Sequence, residues 1–261
     1  MKLHRIWALL IKYWYITINR PDRIFDIFYW PMIDLFVWGF VSTYVNKVTE
    51  FNVLSIFLGG IILWVFIWRS SQDIAVYVLE DFWGRNLYHL FSSPIKLSEH
   101  MTSVITFAFF RSLVSFALLT VAAFFLWGFN IFNTGIFFLG IAVAILSLFG
   151  WVMGIFVTAM IMRFGQRIQV LAWSVTWAIQ PFSCVLYPLS TLPKWAVPIA
   201  KILPTTYVFE NLRAILSGNP IQISGVIYAI GISIVLVILA SYVLLLSFKR
   251  AKATGLLARG D

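Results

Sequence analysis

Four long stretches of this chain contain no Asp, Glu, Lys or Arg, and they constrain its fold more than any other feature. A helix needs about 20 apolar residues to cross the hydrocarbon core of a bilayer, and each stretch can hold at least one. Charged residues make up only 11% of the chain, less than half of the roughly 25% found in a soluble domain. The sequence therefore predicts a membrane protein, because lipid can cover this much apolar surface and water cannot. The uncharged stretches are residues 51–68, 112–162, 168–193 and 214–248.

The uncharged stretches divide into the membrane-spanning helices of an all-α, polytopic fold. Stretch 112–162 is long enough for two helices, and the Gly and Asn residues at 128–135 mark a turn between them. Residues 27–46 form a further span despite Asp34. The alternating pattern of a membrane β-barrel is absent, and no linker divides the chain, so we predict one transmembrane domain over residues 1–261. The six predicted spans cover about 26–45, 53–70, 102–127, 135–162, 168–188 and 223–248.

Lys and Arg residues are distributed unevenly between the two sides of these spans. Fourteen lie in the N-terminal segment, the second and fourth connections and the C-terminal segment, whereas four lie on the other side. Loops rich in Lys and Arg stay in the cytoplasm, so both termini are predicted to be cytoplasmic. The net charge of +9 is dispersed between apolar spans, which argues against nucleic acid as a partner. The four residues on the other side are Lys47, Lys194, Lys201 and Arg213.

The N-terminal segment, residues 1–22, has apolar residues at helical spacing with basic residues between them. Leu3, Ile6 and Leu10 belong to the apolar set. This pattern predicts an amphipathic helix that lies on the cytoplasmic leaflet in contact with membrane lipid. An irregular tail beside the membrane is the alternative interpretation.

A short charged segment, EDFWGRNLYHLFSSPI at residues 80–95, interrupts the apolar sequence on the predicted cytoplasmic side. If the segment is helical, Phe82, Leu87 and Leu90 fall mostly on one face and the charged residues mostly on the other. Pro94 ends such a helix, because a proline disfavours helical geometry in the residue before it. Two interpretations stay open: the helix floats at the membrane surface, or it docks into a groove on a cytoplasmic partner.

Five prolines within residues 181–204 mark the segment before the last span. Residues 193–203 are long enough for a short helix but too short to cross the membrane. A second helix follows, with Thr205 or Thr206 as its N-cap. The sequence therefore predicts a pair of non-spanning helices on the extracytoplasmic side, and irregular backbone there must be sheltered by protein or line a cavity.

The chain resembles, over nearly its whole length, the membrane subunits of ATP-binding-cassette type-2 exporters. The resemblance rests on the order and spacing of motifs that are weak individually. In that family the first cytoplasmic loop, residues 74–95 here, is a coupling helix that seats in a groove of the ATP-binding subunit and passes nucleotide-driven closure to the membrane helices. Besides the N-terminal helix, the motifs are DIFYWPMIDLFVWGF (26–40), N-L-x-x-L-x-x-S-P-I (86–95), RFGQR (163–167) and YPLSTLPKWAVPIAKILPTTYVFENLR (187–213).

The resemblance also implies partners and site residues. It implies assembly with two copies of an ATP-binding subunit and with a second permease subunit, as a homodimer, in the inner membrane of a prokaryote. ATP and Mg would be bound by the partner ATPase, and this chain would bind no cofactor. The implied ATPase-coupling residues are Glu80, Asp81, Arg85, Asn86, Leu87, Leu90 and Pro94, with Arg163, Gln166 and Arg167 in the second loop. The implied extracytoplasmic gate, residues 189–216, contains Pro193, Pro204, Glu210 and Arg213.

The sequence lacks the common catalytic motifs, which favours a transport subunit over an enzyme. The phosphate-binding pattern GxxxxGK[ST] does not occur, so ATP hydrolysis is assigned to another chain. Neither HExxH nor CxxC occurs, and the three histidines, His4, His89 and His100, are scattered. No metal site is therefore predicted.

Two charged residues fall inside predicted spans, where an unpaired charge is costly. Asp34 lies about seven residues into the first span and Arg111 lies nine residues into the third. Their depths are similar, so the two can pair with each other. Two alternatives stay open: each is satisfied independently, Arg111 by reaching back to the cytoplasmic surface, or they contact substrate.

Together these features predict the permease subunit of an ATP-driven exporter with an amphipathic substrate. A lipid, a glycolipid or lipid-linked glycan, or a hydrophobic drug-like molecule fits the 12 Trp, 25 Phe and 10 Tyr of the chain, because aromatic rings stack on sugars and pack on apolar groups. A membrane subunit that scaffolds delivery of a cofactor such as haem is the alternative, and an intramembrane enzyme is a third interpretation.

Overall fold

A computed structural model of the chain describes residues 1–48 and 53–255. The described residues form helices and connecting loops without a β-strand, which confirms the predicted all-α polytopic class. The α-helices are α1 (Leu3–Ile18), α2 (Pro21–Val48), α3 (Val53–Trp83), α4 (Asn86–Ser92), α5 (Leu97–Trp127), α6 (Ile136–Phe164), α7 (Leu171–Ile179), α8 (Val197–Ile202), α9 (Pro204–Leu216) and α10 (Ile223–Ala253).

Within the described residues, five helices are long and apolar enough to cross a membrane: α2, α3, α5, α6 and α10. They run between two ends of a bundle. One end, named the α1 end, holds α1, α4 and the C-terminal part of α10, where the rings of Phe91 and Phe248 lie 4.7 Å apart. The other, named the far end, holds α8 and α9, and there Leu212 and Phe129 both pack on Gly59 near the start of α3.

The central helix of the bundle is α3, which packs against α2, α5, α6, α7 and α9. It approaches α6 closely because α6 carries glycines at the crossing. A Cβ atom at Gly150 would lie 2.8 Å from the carbonyl oxygen of Phe66, and one at Gly154 would lie 2.7 Å from Cβ of Ile74. Small residues let membrane helices come together in this way, and the contact sets the position of α3 in the bundle.

The structure extends the second span well beyond its predicted end. We predicted a span at 53–70 followed by a cytoplasmic loop at 74–95, whereas α3 continues to Trp83. The charges that suggested the end of the span, Arg69 and Asp73, are buried in the bundle and paired there. Because these charges are satisfied inside the protein, the helix has no need to leave the bundle at this point.

The predicted fifth span, 168–188, is not one continuous helix. Helix α7 has nine residues, and a 3₁₀ turn at Gln180–Phe182 follows it. Pro181 lacks the N–H that would continue an α-helix. The segment nevertheless lies along α3, since Trp83 Nε1 donates to Gln169 Oε1 over 3.1 Å and Val185 packs on Gly60. The count of six spans therefore stays a prediction.

Two short helices before the last span were predicted and are present as α8 and α9. The predicted N-cap was wrong, because α9 begins at Pro204 with Leu203 as its N-cap and with no capping side chain. The hydroxyl of Thr206 instead donates to the carbonyl of Ala200 over 2.6 Å, and this bond joins α9 to α8.

Candidate functional site

The segment predicted to couple to an ATPase contains a break rather than one continuous helix. Helix α3 ends at Trp83, and Arg85 adopts the left-handed conformation with φ 54° before α4 begins. A Cβ atom at the preceding Gly84 would lie 2.9 Å from Nδ2 of Asn86, so the junction is closely packed at this glycine. Helix α4 ends at Ser92, two residues before Pro94, as predicted. The result is a seven-residue helix at the surface of the α1 end.

The two faces of α4 differ sharply in exposure. Leu87 is 1% exposed and belongs to the core, with Leu90 and Phe91 packed against the same cluster. The opposite face is solvent-accessible and polar, with Arg85 and Asn86 exposed. The apolar face therefore attaches α4 to the bundle, and the polar face is the one that a partner could contact. This distribution assigns Leu87 and Leu90 to attachment rather than to an exposed docking surface.

The second predicted loop contact lies beside the end of α3. Arg163 and Arg167 are exposed, and Gln166 is half-buried in a 3₁₀ turn at Gly165–Ile168. The hydrogen bond between Trp83 and Gln169 ties this turn to the junction of α3 and α4. The structure thus brings the two predicted cytoplasmic loops together at one end of the bundle.

Glu80 and Asp81, which we placed in the docking element, make ion pairs that fasten α1 and the start of α2 to α3. Asp81 is 2% exposed and its carboxylate accepts from Lys12 on α1. Glu80 is bridged by Arg20 at 3.1 Å and also by Arg23. Both carboxylates are engaged within the chain, so neither is presented freely to a partner.

A second contact of Asp81 links α3 to α5, and the histidine of α5 that makes it also contacts α1. Asp81 Oδ2 lies 3.3 Å from His100 Nε2, and the same nitrogen lies 3.0 Å from the hydroxyl of Tyr13 on α1. Burial raises the pKa of the Tyr13 hydroxyl, so Tyr13 stays protonated at neutral pH. At the start of α5, Glu99 accepts from the backbone N–H of Lys2 over 2.8 Å. The amphipathic helix is therefore tied to the bundle by polar contacts as well as by its apolar face.

Four charged residues join α2, α3 and α5 in one cluster, here named the charge cluster: Asp26, Arg69, Asp73 and Arg111. Three of them are buried, and Asp26 is partly exposed. Arg69 Nη1 lies 2.6 Å from Asp26 Oδ2, and Arg111 Nη1 lies 2.6 Å from Asp73 Oδ1. Arg69 also reaches Asp73 at 3.6 Å, and Arg111 reaches Asp26 at 3.4 Å. Two cations and two carboxylates balance one another, as buried charges in a membrane protein must.

The charge cluster excludes the pairing of Asp34 with Arg111, one of our alternatives. Arg111 contacts Asp73, Asp26 and the carbonyl oxygen of Arg23, the last over 3.1 Å. Arg111 lies 14 residues after the start of α5, whereas Asp26 lies five residues after the start of α2. At 1.5 Å per residue, α5 therefore begins roughly two and a half turns further out than α2. The similar depths predicted for Asp34 and Arg111 were counted from the start of each span, and this count does not include the offset between the helices.

A comparison with protein families decides what kind of protein this is. The family described as ABC-2 type transporter matches residues 6–217, most of the chain and all of the elements from α1 to α9 apart from the first residues of α1. The chain belongs to the ABC-2 type transporter family. It is therefore the membrane subunit of an ABC transporter, which works with an ABC ATP-binding subunit. No curated protein matches the chain.

The ABC-2 permease has a tryptophan-lined cavity of about 420 Å³ between α2, α3 and α7. Trp30, Trp173 and Trp177 are 52%, 39% and 46% exposed and line its walls with the buried Trp68. Polar groups meet these rings: Arg23 and Asp26 also line the cavity, as does Gln72, whose buried Oε1 has no hydrogen-bond partner. The cavity thus combines flat apolar walls with a small number of polar groups, as ligand sites commonly do.

The predicted gate residues of the permease lie together at the far end. Arg213 Nη2 lies 3.0 Å from Glu210 Oε1, a local pair of the kind that opposite charges three residues apart on a helix form. Glu210 also accepts from the backbone N–H of Leu189 over 2.6 Å, so it joins α9 to the loop before α8. Pro204 opens α9 at its first position, and Pro193 precedes α8.

The tryptophan cavity and most of the charge cluster were not found from the sequence. Arg69 and Asp73 are four residues apart, a spacing that places opposite charges on one helix face, so the sequence could have predicted this pair. The cavity had no comparable signal, since its rings come from three helices distant in sequence. Across residues 1–48 and 53–255, no group of three His, Cys, Asp or Glu side chains is placed to hold a metal ion.

Proposed function

We propose that this ABC-2 permease exports an amphipathic substrate, and that it receives the force of ATP binding at the polar face of α4. The observation that supports this proposal most is the division of α4 into an attached and an exposed face. A partner that pushes on Arg85 and Asn86 moves α3, because only Gly84 and Arg85 separate the two helices. It also moves α10 through the packing of Phe91 on Phe248.

The charge cluster carries this motion to further helices. Asp26 on α2 and Arg111 on α5 are both bonded to the charges of α3, so α2, α3 and α5 move as one unit. Helix α7 shares none of the ion pairs found among the described residues. Motion of the unit relative to α7 then changes the width of the tryptophan cavity between them.

The tryptophan cavity supports the choice of an amphipathic substrate. Its rings can stack on a sugar ring or a flat apolar molecule, while the unpartnered Oε1 of Gln72 can accept a hydrogen bond from a hydroxyl or amine. The cavity lies at the surface of one chain with Trp30 and Trp177 half exposed. We therefore propose that a second copy of the permease closes it, in a homodimer with two ATP-binding subunits.

Co-purification tests the coupling role of α4. The tagged permease is expressed with its cognate ATP-binding subunit, and the variant Arg85→Glu with Asn86→Asp is compared with the unmodified chain. The control is Arg250→Glu, an exposed arginine of α10 at the same end. We expect the α4 variant to lose the ATPase and the control to keep it. Equal recovery of the ATPase in both variants would remove α4 from the interface.

Thiol labelling tests the proposed orientation, with both termini in the cytoplasm of a prokaryotic inner membrane. The chain has one cysteine, Cys184, which is 0% exposed. Ser190→Cys at the far end should react with a membrane-impermeant maleimide on intact cells, whereas Ser98→Cys at the α1 end should react only after permeabilisation. Both serines are exposed, so they form a matched pair. The reverse pattern of labelling would invert the proposed direction of transport.

A further inference from the structure

The far end of the permease carries an open cleft of about 830 Å³ with charged side chains in its lining, here named the vestibule. It is lined by the loop before α8, by α8 and α9, and by Gln222, the residue that precedes α10. Lys194, Lys201, Glu210, Arg213 and Gln222 all contribute to the lining. A cavity of this size is large enough for the polar part of a ligand and lies within the range of known ligand sites.

The charges that line the vestibule do not balance. Three cations face one carboxylate, and that carboxylate, Glu210, is already bonded to Arg213 and to the N–H of Leu189. Lys194 and Lys201 are exposed, and neither makes a salt bridge with any acidic residue that the structure describes. Two positive charges therefore remain in excess, and both are Lys ammonium groups that can donate hydrogen bonds to an anion.

Backbone groups at the vestibule add to this preference for negative charge. The N-cap of α10, Gln222, makes no capping bond with its side chain, so the first N–H groups of a 31-residue helix lack a side-chain acceptor. The C-terminal end of α9 also borders the vestibule, but its carbonyl groups are occupied: Ser217 bonds to Arg213 and Asn219 bonds to Ala214. The positive end of one helix dipole is thus left open while the negative end of the other is capped.

We infer that the vestibule is an anion-binding site that takes a phosphate-bearing group through Lys194 and Lys201. The group can belong to a lipid head group or to a free phosphorylated solute, since both present the same oxygens to the two ammonium groups. The inference deepens the proposed export function, because a substrate that leaves at the far end would place its polar head in the vestibule. It also stands as a binding property of the chain alone.

The lysines of the vestibule can be removed without disturbing its frame. Glu210 and Arg213 hold the loop before α8 against α9, as the 3.4 Å bond from Arg213 to the carbonyl of Val185 shows. The double variant Lys194→Gln with Lys201→Gln keeps those contacts. Lys47→Gln is the matched control, since Lys47 lies in the last turn of α2 at the far end and does not line the vestibule. The double variant to Arg keeps both positive charges.

The first arm of the experiment measures the binding of a free phosphate compound, inorganic pyrophosphate. The full chain, without its ATP-binding subunit, is purified in an uncharged detergent and titrated with inorganic pyrophosphate by isothermal calorimetry. We expect the Gln double variant to bind at least about tenfold more weakly than the unmodified chain, because it loses two charge-assisted contacts. The Arg double variant and Lys47→Gln should bind as the unmodified chain does.

The second arm measures the binding of a lipid that has a phosphate head group. The same four proteins are placed in nanodiscs that contain phosphatidylglycerol and phosphatidylcholine in equal amounts, and the lipids that remain bound are counted by native mass spectrometry. Retention of phosphatidylglycerol that is lost only in the Gln double variant supports a head-group site. Lysine-dependent binding of pyrophosphate alone supports a solute site. Binding that is absent in both arms, or equal in the Gln double variant and the unmodified chain, overturns the inference.

Failure of this inference is separable from failure of the proposed function. ATPase co-purification depends on α4 at the α1 end, while both binding arms report on the far end with no ATPase present. If the ATPase co-purifies and no anion binds, the export proposal stands and the vestibule inference falls. If the anion binds and the α4 variant keeps its ATPase, the vestibule inference stands and the proposed coupling role of α4 falls.

Discussion

The two ends of the bundle treat charge in opposite ways. At the α1 end, buried carboxylates are paired with cations, as in the contacts of Asp73 with Arg111 and of Asp81 with Lys12. At the far end, Lys194 and Lys201 stand exposed around a vestibule with positive charge in excess. A buried charge must be matched inside the chain, whereas an exposed one stays solvated and available to a ligand.

Charge supports the folded structure at the α1 end and is available for binding at the far end. Removing a partner at the α1 end leaves an uncompensated charge in an apolar interior, so it affects folding. Removing a lysine at the far end leaves no such group behind. The effects of substitution should therefore decrease from the charge cluster towards the vestibule.

The largest effect is expected at the charge cluster. Asp73→Ala leaves Arg111 and Arg69 with one shared carboxylate, and the free energy of unfolding should fall by about 3–5 kcal/mol, the usual result of breaking a buried ion pair. The measurement is a denaturant titration of the protein in detergent micelles. Asp34→Ala is the control, since Asp34 makes no ion pair with the residues that the structure describes. An equal loss in both variants would contradict the structural role of the cluster.

A smaller effect is expected where α1 is fastened to the bundle. Lys12→Glu places a carboxylate beside the buried Asp81, and the local opening of α1 should become easier by about 2 kcal/mol, in line with loss of a hydrogen bond to a charged group. Limited proteolysis under native conditions measures this opening as the cleavage rate within α1. Lys12→Arg should cleave at the original rate. Faster cleavage in Lys12→Arg as well would point to packing rather than charge.

Two glycines of α6 lie in differently packed surroundings, Gly150 at the close contact with α3 and Gly140 in open space. Gly150→Ala drives a Cβ against the carbonyl oxygen of Phe66 at 2.8 Å, and the unfolding free energy should fall by about 1–2 kcal/mol through overpacking. Gly140 faces open space, so Gly140→Ala should instead stabilise by roughly 0.5 kcal/mol through helix propensity. The thermal midpoints should move in opposite directions. A shift of the same sign in both would contradict the α3–α6 contact.

The smallest effect on folding is expected at the vestibule. Lys194→Gln with Lys201→Gln should change the unfolding free energy by less than about 0.5 kcal/mol, as surface substitutions usually do. The same denaturant titration used for Asp73→Ala measures it. A loss comparable to that of Asp73→Ala would mean that the lysines support the fold, and the contrast between the two ends would disappear.

The sequence alone determined the class of the protein and much of its local structure. Long uncharged stretches require helices, because lipid offers no partner to backbone groups. Prolines at 188, 193, 198 and 204 confined the helices near them to short lengths, and the end of α4 before Pro94 followed from the same restriction. These features depend on residues that are neighbours in the sequence, so the sequence is sufficient to predict them.

Only the tertiary structure decided which charges meet. Arg69 looked like the end of a span, and Asp34 looked like the partner of Arg111, because depth was counted separately along each helix. The partners of Arg111 are Asp73 on α3 and Asp26 on α2, and the offsets of α5 against these two helices are set by packing around α3. The exposed and buried faces of α4 follow from the same packing. The relative offset and rotation of helices arise from contacts between distant residues, and no local pattern encodes them.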